Sequence, residues 1–339
     1  DAGLRHYVRT KSGLDLEEFS IVNIDNEYVF DETLDVTKYF KSTSVLNEII
    51  ERIPFVEKTI DAAIDTLEKS CIPDIPIGAH CTKPYPCDYQ GYCWATIPQN
   101  SIWYLPGISM QEKSNFVEKG IHSIFDINET DTLNERQTII IQSYQTQQIH
   151  LNVERLQAFT NALQFPAYYF DIEAFQPAIP IFKNTKPYER VPFLYSLHYK
   201  ESAESELKHI CYISPVGSDD RINFIEHFLN ATQNTGQILV FNTLMEKGIL
   251  FRMMHDFPQY KKDILERINR IIDIEIPFKE MYYYHPNQQG SFSLKAIGNA
   301  MLQRNEFSKS QVKDGEEAMA LYNELFYWEN KQDIDEKLQ

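Results

Sequence analysis

The stretch Tyr168-Tyr-Phe-Asp171-Ile-Glu173-Ala-Phe175-Gln-Pro177 decides how the rest of the chain is read. An apolar run of strand type ends in two carboxylates two positions apart. Side chains alternate along a strand, so Asp171 and Glu173 leave on the same face, about 7 Å apart along it. Two like charges at that spacing repel unless a cation or a shared proton lies between them. Two readings fit the motif by itself: solvated charges at a strand end, or a divalent-metal site.

Downstream, the segments at 193–199 and 209–213 read as strands, and their short, turn-rich connections predict both to be antiparallel to the first. A helix is expected at 221–231, followed by an apolar strand at 237–241. At the end of that strand stand Asn242 and Glu246. Their spacing, continued by Leu250, predicts that all three lie on one face of the next helix. Helical text fills 259–272, and Asp273 follows Ile271 and Ile272. Gly290-Ser-Phe-Ser-Leu-Lys295 reads as a glycine turn with a serine cap and a helix. Asp314-Gly315 opens a last helix through Tyr322 and Phe326, with Asp314 as its N-cap.

Upstream, Phe165-Pro166 closes a polar, helical connector over 129–163. Residues 101–127 carry two glycine turns, Leu105-Pro-Gly107-Ile and Lys119-Gly120-Ile, between short helices. This text is similar to helix–hairpin–helix elements, whose backbone amides can hold a phosphate, and also to a plain packing hairpin. Apolar residues at helical spacing from Val45 to Leu67 predict one long helix, capped by Thr43 or Ser44, with a kink or break near Ile53 imposed by Pro54. The first 40 residues read as a short helix at 1–10 and a strand pair at 19–24 and 27–30.

Between these helices lie Cys71, His80, Cys81, Cys87 and Cys93, interleaved with Pro and Gly. A loop of that composition has no core of its own, and thiolate ligation would order it. The spacing is not a C-x2-C pair of the zinc-ribbon kind and fits a 4Fe–4S cluster better. Zn2+ and reduced structural thiols are the alternatives.

The chain has 339 residues, 43% of them hydrophobic and 13% aromatic, enough for more than one core. No apolar run approaches the roughly 18–20 residues of a membrane span, and no signal peptide opens the chain, so no membrane partner is expected. The first residue is Asp1, and a front part is expected to be missing. A net charge of −17 argues against electrostatic wrapping of nucleic acid, while leaving room for a carboxylate-lined metal site with a local basic groove. Five cysteines, clustered rather than spread as a disulfide framework, point to a reducing cytoplasm.

Asp171-Ile-Glu173 at the end of one strand and Asn242-x3-Glu246 after another resemble the first two motifs of DnaQ-like (DEDD) 3′–5′ exonucleases. There the second motif usually ends in Asp; here Glu246 stands instead. The fuller resemblance is to a bacterial domain-of-unknown-function family, through the phrases at Asp171 to Pro180, Pro192 to His198, Gly290 to Lys295 and Asp314 to Ala318. Members of that family place a RecB-like, PD-(D/E)XK-type nuclease segment and a cysteine loop in front, and Cys81-x5-Cys87-x5-Cys93 resembles the iron–sulfur cysteines of such nucleases. Asp1-x5-Tyr7 looks like the helix after that nuclease core, with Arg5 where a glutamine is expected.

The resemblance implies an α/β chain with an RNase H-like mixed sheet flanked by helices, preceded by a smaller, mostly α segment with the cysteine loop. The expected divisions are a RecB-like remnant at 1–98, a helical linker at 99–164 and a DnaQ-like exonuclease domain at 165–339. Asp171, Glu173 and Glu246 would be catalytic and would ligate Mg2+ or Mn2+, Asn242 would bind substrate, and Cys71, Cys81, Cys87 and Cys93 would hold a 4Fe–4S cluster or Zn2+. The partner would be DNA or RNA. The RecB-like catalytic residues would precede Asp1. The third exonuclease motif, of the form Tyr-x3-Asp, has no match after Tyr322, since Tyr327 is followed by Asn330 and Lys331. The exonuclease is therefore expected to be incomplete here, with Asp314 an outside candidate for the fourth carboxylate. The alternative is a catalytically inactive nucleic-acid-binding or scaffold module with a structural iron–sulfur cluster.

Overall fold

The computed structural model describes residues 1–128, 133–233, 235–302 and 315–326. The chain folds into two compact units: residues 1–76 with 176–189, and residues 77–175 with 190–339.

The first unit contains α1 (Ala2–Lys11), β1 (Ser20–Ile24), α2 (Val36–Tyr39), β2 (Phe40–Ser44) and α3 (Leu46–Leu67). β1 pairs antiparallel with β2, not with the 27–30 segment, because Asp25 starts a turn in which Tyr28 N–H bonds Asp25 O. Helix α3 runs unbroken through Pro54, and its N-cap is Val45 with no side-chain cap, so neither Thr43 nor Ser44 serves; both belong to β2. Residues 176–189 are stitched to this unit. Tyr39 donates to Ala178 O at 2.8 Å, and Lys183 meets Asp31 at 2.9 Å and Glu32 at 3.0 Å.

The second unit begins with α4 (Gln90–Trp94), α5 (Met110–Glu118), α6 (Glu135–Thr146), β3 (His150–Leu151) and α7 (Val153–Asn161). The described part of the expected polar connector is not a solvated linker. In α6, Ile139, Ile140 and Ile141 are all buried, Ile141 against Ile102, Leu105 and Phe116, the other two against Met281 and Tyr284. Hydrophobic residues at three successive positions serve both clusters, a pattern that amphipathic spacing does not reveal.

The sheet that follows comprises β4 (Ala167–Phe175), β5 (Val191–Lys200), β6 (Lys208–Ile213), β7 (Gln237–Val240) and β8 (Ile271–Asp273), interleaved with α8 (Arg221–Ala231), α9 (Leu244–Asp256) and α10 (Lys261–Asn269). Its order is β6-β5-β4-β7-β8, so β4 is central. β5 is antiparallel to β4, whereas β7 and β8 are parallel to it. β6 pairs antiparallel with β5 and so runs the same way as β4, against the sequence expectation. The expected 259–272 helix ends at Asn269, and Ile271–Asp273 is strand. Two β-branched residues end a helical text here by pairing with Ile238 and Leu239. The remaining elements are α11 (Ile276–Lys279), β9 (Tyr283–Tyr284), which pairs with β3, α12 (Leu294–Leu302) and α13 (Gly315–Leu325).

Alternation in β4 sets the layers. Tyr168, Phe170 and Ile172 point into a core completed by Phe224 and Phe228 of α8, Ile249 and Met253 of α9, and Ile264 of α10. Tyr169 and Asp171 take the opposite, exposed face. No helix among the described residues is long and apolar enough to cross a membrane.

Candidate carboxylate site at the end of the central strand

The site is assembled by strand ends. Asp171 and Glu173 lie in β4, and the register with β5 shifts between Glu173 and Ala174, a bulge that re-aims the strand just past the carboxylates. Asp171 is open to solvent at the surface yet ringed by protein, and the desolvation this causes raises its carboxyl above the usual range.

β7 ends one residue before Phe241, and Asn242 follows in the left-handed region at φ +65°. Asn tolerates that conformation better than most residues. Its N–H donates to Oδ1 of Asp273 at the end of β8, at 3.1 Å, and the same oxygen accepts from Glu275 N–H at 2.9 Å. The turn delivers the chain into α9, whose first turn carries Glu246. Asn242 thus precedes the helix instead of sharing its face, while Glu246 and Leu250 point inward, both buried.

Glu246 is only 3% exposed, and its Oε2 is buried without a hydrogen-bond partner. Burial, chiefly, raises its pKa to about 7; the charges of Asp171, Asp273 and Glu173 push the same way, and its own backbone N–H works against them. Asp171, Glu173 and Asp273 thus all bear on the Glu246 carboxyl from the same end of the sheet. Glu173 has a further neighbour. A Cβ built on Gly315, the first residue of α13, would stand 2.7 Å from its Oε1 and collide with Oε2. The carboxylate lies against a helix N-terminus, where the backbone dipoles favour negative charge. Helix α13 is itself anchored by Tyr322, which stacks on Phe193 at 4.1 Å between ring centres and donates to Ser214 O at 3.0 Å.

Hard oxygen donors of this kind suit Mg2+ or Mn2+. As the side chains stand, no three His, Cys, Asp or Glu among the described residues are grouped to share one ion.

All four expected residues of the carboxylate motifs come to the same end of the sheet. Asp273 joins them unanticipated by sequence reasoning. Its signal was available, a carboxylate closing an Ile-Ile strand in the manner of Asp171, but it was obscured by the helical text before it. Gly315 has no sequence signal for its contact. Asp314, Tyr327, Asn330 and Lys331 lie outside the described residues.

The cysteines are placed separately. Cys71 is exposed and belongs to the first unit; Cys81, Cys87 and Cys93 belong to the second, respectively buried, half-buried and exposed. All are free thiols. The loop is folded on itself by backbone bonds, Cys87 N–H to Cys81 O and Cys93 N–H to Tyr89 O, both at 3.0 Å. At the other glycine-turn segment, α5 opens with a capping box. Ser109 N–H and hydroxyl bond the Glu112 carboxylate, and Ser109 Oγ accepts from Glu112 N–H. A carboxylate of the chain itself thus occupies the helix N-terminus where a phosphate would sit.

No curated protein and no solved structure matches the chain. Residues 168–293, which run from the central strand through Asp273 to the Gly290 turn, match the family described as domain of unknown function DUF2779.

Proposed function

We propose that the second unit is a metal-dependent 3′–5′ exonuclease-like domain of the DnaQ type that hydrolyses phosphodiester bonds in DNA or RNA. The observation that carries this reading is Glu246, an almost fully buried carboxylate with a partnerless oxygen, amid the charges of Asp171, Glu173 and Asp273. A buried carboxylate without a partner is costly unless a proton or a cation neutralises it, and a divalent cation would do so above pH 7. The mixed sheet, with its carboxylate strand at the centre and helices packed on it, supports the RNase H-like part of the reading.

Asp171, Glu173 and Glu246 would hold two Mg2+ or Mn2+ ions, which when bound supply an activated water and stabilise the leaving oxygen. The chain's own residues do the rest. β4 presents two carboxylates from a rigid central strand, and α9 brings the third from the buried side. The Asn242 turn, tied to Asp273, sets the position of α9 and leaves the Asn242 carboxamide available to a substrate phosphate or sugar.

The test is Mn2+ titration by calorimetry alongside digestion of single-stranded DNA and RNA. Saturable Mn2+ binding and release of nucleoside monophosphates, both lost in Asp171→Ala, are expected. Activity that survives Asp171→Ala would overturn the assignment.

A second reading, a nucleic-acid-binding or scaffold module without catalysis, is favoured by one observation: among the described residues no three ligating groups are spaced to share an ion. Nucleic-acid binding without Mn2+ binding selects it. A 4Fe–4S cluster or Zn2+ at the cysteines is part of the same proposal in either case, and an anaerobic visible spectrum with metal analysis of the purified protein checks it.

A further inference from the structure

A second polar feature of the same unit has the opposite charge. A cavity of about 310 Å3 opens beside the Leu105–Ile108 turn and is lined by Gln99, Tyr104, Lys113, Tyr144 and Gln289 together with that turn. In a chain with 49 acidic residues, its lining contains no Asp or Glu.

Lys113, in α5, is 9% exposed. Its ammonium donates to Trp103 O at 2.8 Å, and among the described residues no carboxylate pairs with it. An ammonium has three donors and no acceptor, so one carbonyl leaves two N–H groups to satisfy. Buried lysines in proteins are as a rule paired. The adjacent Glu112 does not compensate this one, because its carboxylate is engaged by Ser109 and by Gln137 Nε2 at 2.7 Å. Burial accordingly lowers the Lys113 pKa. Of the remaining polar groups, the Tyr104 and Tyr144 hydroxyls donate to the carbonyls of Trp94 and Gln99 and have no proton left for an anion, so the donors open to one, besides Lys113, are the carboxamide N–H2 groups of Gln99 and Gln289. One wall is closely packed: Gly107 and Gly290, both at positive φ, approach so closely that a Cβ on Gly290 would stand 2.5 Å from Gly107 N.

We infer that this cavity is a phosphate-binding site in which Lys113 supplies the charge and the Gln99 and Gln289 carboxamides supply the outer donors. The volume is at the small end of ligand sites and suits a phosphate group with little attached. The site stands on its own geometry and does not depend on the exonuclease reading. The phosphate could be free or could be the terminal phosphate of a nucleic acid strand.

The experiment is calorimetric titration of the whole chain, in EDTA to keep the carboxylate cluster out of play. Three probes are used: inorganic phosphate, a 5′-phosphorylated dinucleotide and the same dinucleotide without its phosphate. Saturable binding of a phosphate-bearing probe, and none of the unphosphorylated one, is expected. Binding of inorganic phosphate identifies a free-anion site, and binding of the phosphorylated dinucleotide alone identifies a strand end. Lys113→Met should weaken binding at least tenfold. Gln99 is exposed, so Gln99→Glu and Gln99→Lys leave folding intact; the first should weaken binding severalfold and the second strengthen it. Absence of saturable binding by every probe, or equal affinity across the Gln99 pair, overturns the inference.

Discussion

The main-chain N–H of Asn242 donates to Oδ1 of Asp273 at 3.1 Å, joining the turn after one parallel strand to the end of the next. That bond, with the one from Glu275 N–H to the same oxygen, fixes the left-handed residue from which α9 and Glu246 depart. Asp273→Ala strands two N–H groups and should cost about 1–3 kcal/mol in urea denaturation. Asp273→Asn keeps an acceptor at that position and should recover more than half of the loss. Equal destabilisation by both would show that charge, not the acceptor, matters there.

Glu246 gives the apo protein a pH-dependent stability. Its carboxyl titrates near pH 7 in the folded chain against 4.5 for the ordinary group, so the folded state holds the proton more tightly. Stability from this group is fully present below about pH 4.5, falls as pH rises towards 7 and is level above that. The span is about 3 kcal/mol. Denaturation of wild type and Glu246→Gln between pH 5 and 8 in EDTA should reveal the slope in the first and its loss in the second. Saturating Mn2+ at pH 8 should restore stability to wild type only.

Gly315→Ala tests the contact between α13 and Glu173. The added methyl collides with the carboxylate, which must move, since the rest of the helix is anchored by Tyr322. The end of a glutamate is flexible, so the stability cost should stay near 1 kcal/mol. A double-mutant cycle with Glu173→Ala should yield a coupling of at least about 0.5 kcal/mol. Additivity within error would place Glu173 elsewhere in solution.

Arg221 forms a nearly buried ion pair in the sheet's helical layer. Its guanidinium, nearly buried, donates to Asp219 at 2.7 Å and to Asp256 at 3.3 Å, and it lies over the Phe257 ring. Arg221→Met leaves Asp256 only 9% exposed and short of one partner, with Arg252 still at 2.9 Å. A loss of about 3 kcal/mol is expected from thermal or urea unfolding. Retention of wild-type stability would mean that Arg252 suffices.

The amino-acid order by itself determined the elements with one clear period. β4 and β5, whose inward residues alternate, and α8, whose predicted ends match the structure, were legible because burial there repeats at 2.0 or 3.6 residues. The expectation that Asp171 and Glu173 leave one face of the strand rests on the same alternation. What required tertiary structure was everything set by contact between distant segments. Ile271–Asp273 is strand only because β7 offers it hydrogen bonds, and α6 is buried only because two clusters meet on it. The direction of β6 was decided by its pairing with β5 and not with β4. Burial is what distinguishes Glu246 from an ordinary helix-end glutamate and Lys113 from an ordinary surface lysine, and burial is a property of the neighbours. No local pattern records that three carboxylates from two strands bear on Glu246, or that Lys113 lines a cavity with no Asp or Glu.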